Sequence, residues 1–538
     1  MSETADASAV PLASVDKLAR HTAVISSLNL VSRLTGFVRM LVVAAVLGTT
    51  FLGNTYQSAN SVPNLVFELF AAGALQAVLV PTLVEAIQRQ GRAEAERIAG
   101  LVLGSLLAAM AVLLVVGLAA APLIARVLFA GSPAGGSQVR LGTVFLWLFL
   151  PQVLFYAGGL VATAVLNAED HFAMPAFAPV INNVVVTAAY LTFWAMRRGE
   201  EPSLHLSPLE VAVLAGGTTL GVVAFTSVPI AALRRRAFEL RPRWQRGSAE
   251  LRHFWRQGAW AAGFLALTQV LLVAVLILAN RVEGGVVAYQ LGFTFFLLPH
   301  ALVAIPVFTA VFPGLTRAFL QGDDGAFASL VRRSVTTISV LVLPAAAALL
   351  VLAEPVARLT LFGHGEAGVH QVALATRAFA PGLVPYGVFL LLTRAAYARN
   401  DARLPTHVNL VATAVGVAGM LSAAALLHGD ARIAGLAAAH SGTYLVGSVV
   451  LAARLRRRAL SAHRYVPIRT LMVTVGATIV AGSVMAAIAA GLGGTGRGAA
   501  ALELAVAGAA GTIVYVVLIA AGGLAGSVRA IAGVRRGG

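Results

Sequence analysis

The chain contains no cysteine. Disulfides, thiolate metal sites and thiol catalysis are excluded with it. Charge is nearly as scarce. Asp, Glu, Lys and Arg make up 11% of the 538 residues, against about 25% in a soluble protein. Acids are the rarer sign, 22 against 39 basic residues. No histidine pair stands at ligand spacing beside a carboxylate, and no GxxxxGK phosphate loop occurs. The residues therefore give no support for an enzyme, a metal site or a cofactor. The opening MSETADASAVPLASVDKLAR lacks the basic-then-apolar order of a cleaved signal peptide. It reads as a flexible cytoplasmic tail over residues 1–21.

What the chain does have is hydrophobic residues, 59% of the total, with a mean hydropathy of +0.85. Continuous apolar runs of about 20 residues recur from end to end, the mark of membrane-crossing helices. Strands are not expected, because the runs do not alternate. The fold class is all-α, a polytopic membrane protein of about fourteen spans. They fall near 22–48, 58–88, 97–125, 138–167, 173–197, 207–233, 250–280, 285–316, 328–353, 369–397, 404–427, 432–454, 467–492 and 500–525.

The net charge of +17 could suggest nucleic acid, but its distribution argues otherwise. Arginines crowd alternate loops: 88–97, 234–256, 317–333, 394–403, 454–469 and the C-terminal tail. That alternation is the positive-inside signal. It predicts both termini in the cytoplasm of a bacterial plasma-membrane protein, with no nucleic-acid partner.

The longest basic linker separates the first six spans from the next six, and the halves resemble each other. Over an offset of 230 residues Pro151 meets Pro381, Tyr156 meets Tyr386, Thr163 meets Thr393, Ala168 meets Ala398 and Pro175 meets Pro405. Repeats with an even number of spans share one orientation. The expected organisation is two parallel-repeat six-helix lobes plus two C-terminal helices. Its divisions are an N-lobe over 22–240, a C-lobe over 241–460, and the last two spans with a basic tail over 461–538. In such proteins the substrate path lies between the lobes near the midplane.

The first span carries two arginines, Arg33 and Arg39, in the acid-free run from Ala23 to Gly48. An arginine at mid-bilayer costs about 2.5–3.5 kcal/mol on insertion scales. Residues six apart lie about 120° apart and about 9 Å along a helix. The pair can line one cavity wall at two depths, with Gly36 between them leaving room for a neighbour. The other reading of Arg39 is a side chain that snorkels to the interface.

Asn60, Pro63 and Asn64 are expected to break or kink the second span at its mouth, which is tolerated where the freed groups face a wet cavity. Glu68 lies a turn further in. It is a natural ion partner for Arg33 or Arg39, in a substrate site or in a structural salt bridge. On the eighth span Gln290 and Thr294 precede Pro299, and Arg377, early in the tenth, can face the cavity. Asn409 and Thr413 share a face of the eleventh span, where hydrogen bonds to a neighbouring helix are the favoured reading.

SRLTGFVR followed by ANSVPNLVFELFAAGALQAVLVPTL resembles the MurJ/MviN family of lipid II flippases, in the form found in high-GC Gram-positive bacteria. The resemblance runs from about Leu18 to Ala525. It implies a fold shared with multidrug exporters of the MATE type in one superfamily, and transport by alternating access. It implies that Arg33 and Arg39 contact the diphosphate of lipid II or a similar polyprenyl-diphosphate glycolipid. Asn60, Asn64, Glu68, Thr294 and Arg377 complete the expected substrate site, and the last two helices form an apolar groove for the polyprenyl tail. Membrane lipids and cell-wall synthesis proteins are the other implied partners.

The chain departs from the family pattern in places. Met40 and Asn54 stand where acids are usual, Phe67 and Thr294 where arginines occur, and Thr413 where an acid is found in members that bind sodium. Alternative readings are a flippase for another polyprenyl-diphosphate glycan, a MATE-like drug or cation exporter, and a non-transporting cell-wall scaffold.

Overall fold

The computed structural model describes residues 12–70, 76–245, 249–459 and 468–524. Among the described residues all regular structure is helical. The first span is α1 (Leu12–Leu47), followed by α2 (Phe51–Phe70) and α3 (Gln76–Arg89) as the second. Then come α4 (Arg92–Leu128), α5 (Gly135–Phe149), α6 (Gln152–Ala168), α7 (Ala173–Arg197), α8 (Pro208–Val211) and α9 (Gly217–Arg235). A π-helical turn, Ala212–Gly216, joins α8 to α9. The second half holds α10 (Ala249–Ala279), α11 (Gly285–Leu320), α12 (Asp324–Thr360), α13 (Val369–Phe379), α14 (Leu383–Ala398), α15 (Arg403–Leu426) and α16 (Gly429–Ala459). The pair α17 (Ile468–Leu492) and α18 (Arg497–Ala521) ends the described chain.

Twelve spans are long and apolar enough to cross a membrane by themselves. The second span, met as α2 and α3, and the seventh, α10, bring the number to the expected fourteen. Part of the expected N-terminal tail is helical: α1 begins at Leu12, where Leu, Ala, Lys and Arg favour helix. Residues 1–11 and the tail beyond 524 lie outside the described residues.

The duplication is visible in backbone detail. The fourth span breaks between α5 and α6 at Pro151, and the tenth breaks at Pro381 in a 3₁₀ turn, Ala380–Gly382. Proline lacks the N–H and crowds the preceding turn. The helices after these breaks end alike. Asp170 and Asn400, 230 residues apart, are both left-handed, with φ of 60° and 57°. His171 N donates to Leu166 O at 2.7 Å, and Asp401 N donates to Ala396 O at 3.1 Å. Asp and Asn are the non-glycine residues that best tolerate this helix-ending conformation.

Core packing divides the molecule by end. Where α1 finishes, one continuous core contains Val43, Leu52 and Tyr56 of the first lobe and Leu276, Val287 and Phe296 of the second. The first lobe's other end has a separate core, built on Leu83, Ile98, Leu103, Val161 and Leu233, with Leu251 and Trp255 of α10 packed against it. Buried amides fix the shared end. Asn54 Nδ2 donates to Val282 O at 2.8 Å, and Asn54 Oδ1 accepts from Val286 N at 3.0 Å. Asn280 Nδ2 donates to Ser58 Oγ at 2.8 Å and to Leu128 O at 3.2 Å. Gly368 permits a close approach at this end, since a Cβ there would overlap the Thr49 side chain. The α17–α18 pair docks on α12 through two small clusters, one around Val340 and Tyr515, the other around Leu352 and Met485.

Candidate functional site

Helix α1 lies against α7. Asn183 Nδ2 donates to Ser32 O at 3.2 Å and to Thr35 Oγ1 at 3.1 Å, which fixes the rotation of α1 at the level of its arginines. Arg39 then enters a polar cavity of about 340 Å³. Asn60, Asn64, Phe67 and Glu68 of α2, Tyr156 of α6, Asn182 of α7 and Thr218 of α9 share its lining. Four expected residues, Arg39, Asn60, Asn64 and Glu68, thus come together. All the lining comes from the first lobe, so the hollow is cut into one lobe and is not walled equally by both.

Helix α2 does not break at its prolines and asparagines. It runs unbroken through Pro63 to Phe70, and Asn64 Nδ2 donates to Asn60 O at 2.9 Å. Tyr156 Oη donates to Asn64 Oδ1 at 2.8 Å. Phe67 stacks on Tyr156 with ring centroids 4.3 Å apart. An aromatic pair therefore forms part of this wall of the cavity.

Among the described residues Glu68 does not pair with an arginine. Its Oε2 accepts from Gln269 Nε2 of α10 at 2.5 Å, a bond between the lobes. Arg39 has no hydrogen-bond or ion-pair partner among the described residues. Asn182 Oδ1 is buried and also without a partner. The hollow thus sets this guanidinium among the amides of Asn60, Asn64 and Asn182 and the carboxylate of Glu68.

The remaining expected residues lie elsewhere. Arg33 is exposed, six residues and about 9 Å along α1 from Arg39. Thr294 is half-buried, and its hydroxyl donates back to Gln290 O at 2.7 Å. Arg377 lines a different hollow, of about 590 Å³, between α12, α13 and the α17–α18 connection. There it pairs with Glu354 at 3.2 Å, beside the pair Arg358–Glu503, also at 3.2 Å. Asn409 Nδ2 and Thr413 Oγ1, expected to bond a neighbour, are buried without partners among the described residues.

Sequence reasoning did not single out Tyr156, Asn182, Thr218 or Gln269 as site residues. The Asn182–Asn183 pair within an apolar helix was a usable signal. Thr218 and Gln269 gave none, since their role depends on which helix they meet.

Two repeated six-span lobes, joined at one end and holding a cation-bearing hollow, define a membrane transporter of the two-lobe kind. Comparison with known proteins agrees. The family model described as lipid II flippase MurJ matches residues 43–502. The chain is 28% identical over 395 residues to a probable lipid II flippase MurJ of Rhizobium tropici, covering 72% of each. It is 27% identical over 401 residues to the lipid II flippase MurJ of Burkholderia cenocepacia, covering 73% of this chain and 75% of that one. Among solved structures, a lipid II flippase MurJ in an inward closed conformation superposes with a TM-score of 0.74 at 17% identity, covering 92% of this chain and 97% of that one. A MATE family transporter in its inward-facing conformation gives 0.65 at 14% identity, covering 82% and 98%. The chain belongs to the MurJ family of lipid II flippases.

Proposed function

We propose that the chain moves lipid II from the cytoplasmic to the outer leaflet by alternating access, with Arg39 as the central diphosphate ligand. The observation that carries the site assignment is the unpaired Arg39 guanidinium in a hollow of about 340 Å³ lined by Asn60, Asn64 and Asn182. Arg33, further along the same helix, meets the head group as it enters. Phe67 and Tyr156 offer an aromatic face to a sugar ring. The tail stays in lipid against α17 and α18, where Met472, Ile479, Ile513 and Val517 are exposed. The arginine-rich loops face the cytoplasm, so the core shared where α1 finishes closes the outer end.

The lobes, over 22–240 and 241–460, rock about that closed end. Substrate binding replaces water around Arg39 with a doubly charged phosphate group, and charge-assisted hydrogen bonds contribute about 1.5–3 kcal/mol each. The test is depletion of the native protein with complementation. Wild type restores lipid II export. Arg39→Ala is expected to leave lipid II on the inner leaflet at wild-type protein levels, and Arg39→Lys, which keeps the charge but loses the fork, to restore part of it. Full export by Arg39→Ala refutes the assignment of the site. Normal export on depletion, with no other flippase present, refutes the function.

A further inference from the structure

The segment joining the lobes is anchored along the first. After α9 it runs beside α4, where Arg243 N donates to Gly100 O at 2.8 Å. Glycine is required at 104, because a Cβ there would overlap Arg243 O. Arg92 Nη2 donates to Arg236 O at 2.5 Å, and Glu239 N donates to Glu96 Oε1 at 3.0 Å. Held this way, Arg234, Arg235, Arg236, Arg241 and Arg243 are all exposed, and Trp244 is 66% exposed. Arg241 pairs with Glu239 at 3.3 Å. The other four have no side-chain ion pair among the described residues.

Beside this surface lies a slot of about 230 Å³ between the start of α1, the α6–α7 turn and the end of α9. Val24, Leu166, Phe172 and Ala232 make its apolar walls, and Arg236 and Asp170 supply its charged groups. Arginines at the end of α9 suit the helix dipole and the topology signal. Neither accounts for the anchoring of the linker, the exposed tryptophan or the apolar slot beside Arg236.

We infer that this surface is a binding site for an anionic phospholipid of the surrounding bilayer. The phosphate sits on Arg236 and the neighbouring linker arginines, and the upper part of an acyl chain fills the slot. Arginine forks suit phosphate oxygens, tryptophan favours the headgroup level, and clustered basic residues beside membrane spans recognise anionic lipid. Because the linker is already anchored, little ordering entropy is lost on binding. Asp170 opposes a phosphate deep in the slot but accepts from a glycerol hydroxyl, which makes phosphatidylglycerol the probe.

The experiment uses the full-length chain in detergent, titrated with phosphatidylglycerol or phosphatidylcholine and read by native mass spectrometry. Retention of phosphatidylglycerol well above phosphatidylcholine is expected, unaffected by millimolar inorganic phosphate. Arg236→Ala should lower it about fivefold, the weight of one arginine at an anionic surface. Ala232→Leu, which fills the slot and keeps every charge, should lower it as well. Equal retention of the two lipids, displacement by free phosphate, or wild-type retention by both variants overturns the proposal. The assay contains no lipid II and measures no export, so its outcome is separate from that of the flippase reading.

Discussion

Deep in an apolar helix a guanidinium must be paired, hydrated or left for an incoming anion, and the arginines of this chain divide along those lines. Arg358 and Arg377 are paired, with Glu503 and Glu354. Arg33 is exposed and Arg39 is unpaired in a polar hollow. Arg33, Arg39 and Arg377 stood out in the sequence, Arg358 did not, and the pairings were not legible at all. Glu503 lies 145 residues from Arg358, and nothing in either local pattern links them. Glu68 shows the same limit: its type suggested an arginine partner, and the helix it meets supplies Gln269 instead.

The two pairs also differ in worth. The Glu503 side chain is 3% exposed, and Arg358 also donates to Gly494 O, whereas Glu354 is 40% exposed. Removing one partner of a buried pair costs about 3–5 kcal/mol, and of an exposed pair about 0–1 kcal/mol. Glu503→Ala should therefore lower the thermal midpoint in detergent sharply, and Glu354→Ala hardly at all. Equal shifts in the two variants would show that burial does not set their value.

At the scale of elements, the sequence was most informative where composition alone decides. Twelve of the fourteen expected spans appear near their expected positions among the described residues because each needs only length and apolarity. The 230-residue offset carries through to the left-handed ends at Asp170 and Asn400. What escaped was specific to contact. Helix α2 begins at Phe51, not near 58, because its first turns pack in the core shared by the lobes. The basic linker read as a loop, and its seat on α4 depends on Gly100 and Gly104, which a helix pattern records only as weak positions.

That seat makes a test. Gly104→Leu must push the linker away, although it improves helix propensity by up to about 1 kcal/mol. If anchoring protects the linker, limited trypsin digestion should cut the variant between Arg234 and Arg243 several times faster than wild type, with the membrane spans intact. Unchanged cleavage would mean that the linker is held by its termini and not by α4.

For the molecule as a whole, the uneven sharing of the core is the property that matters. Two lobes fused through one core at both ends could not rock. Here the larger core joins them where α1 finishes, while at the other end the first lobe has a core of its own against which α10 of the second lobe packs, so the closed end must open if the substrate is to leave on the far side. The seal is apolar packing with a polar part: Asn54 and Asn280 bridge the lobes through hydrogen bonds worth about 1 kcal/mol each. The absence of native cysteine allows a clean test. Thr49, in the α1–α2 turn, and Ala367, in the turn before α13, line one hollow on the closed end. Thr49→Cys with Ala367→Cys, joined by a short reducible bifunctional reagent, ties the lobes in the closed arrangement. Lipid II export by the purified protein in vesicles should fall to background on cross-linking and return on reduction, while each single-cysteine variant treated with the same reagent keeps its export. Export that continues through complete cross-linking would mean that the closed end does not open during transport.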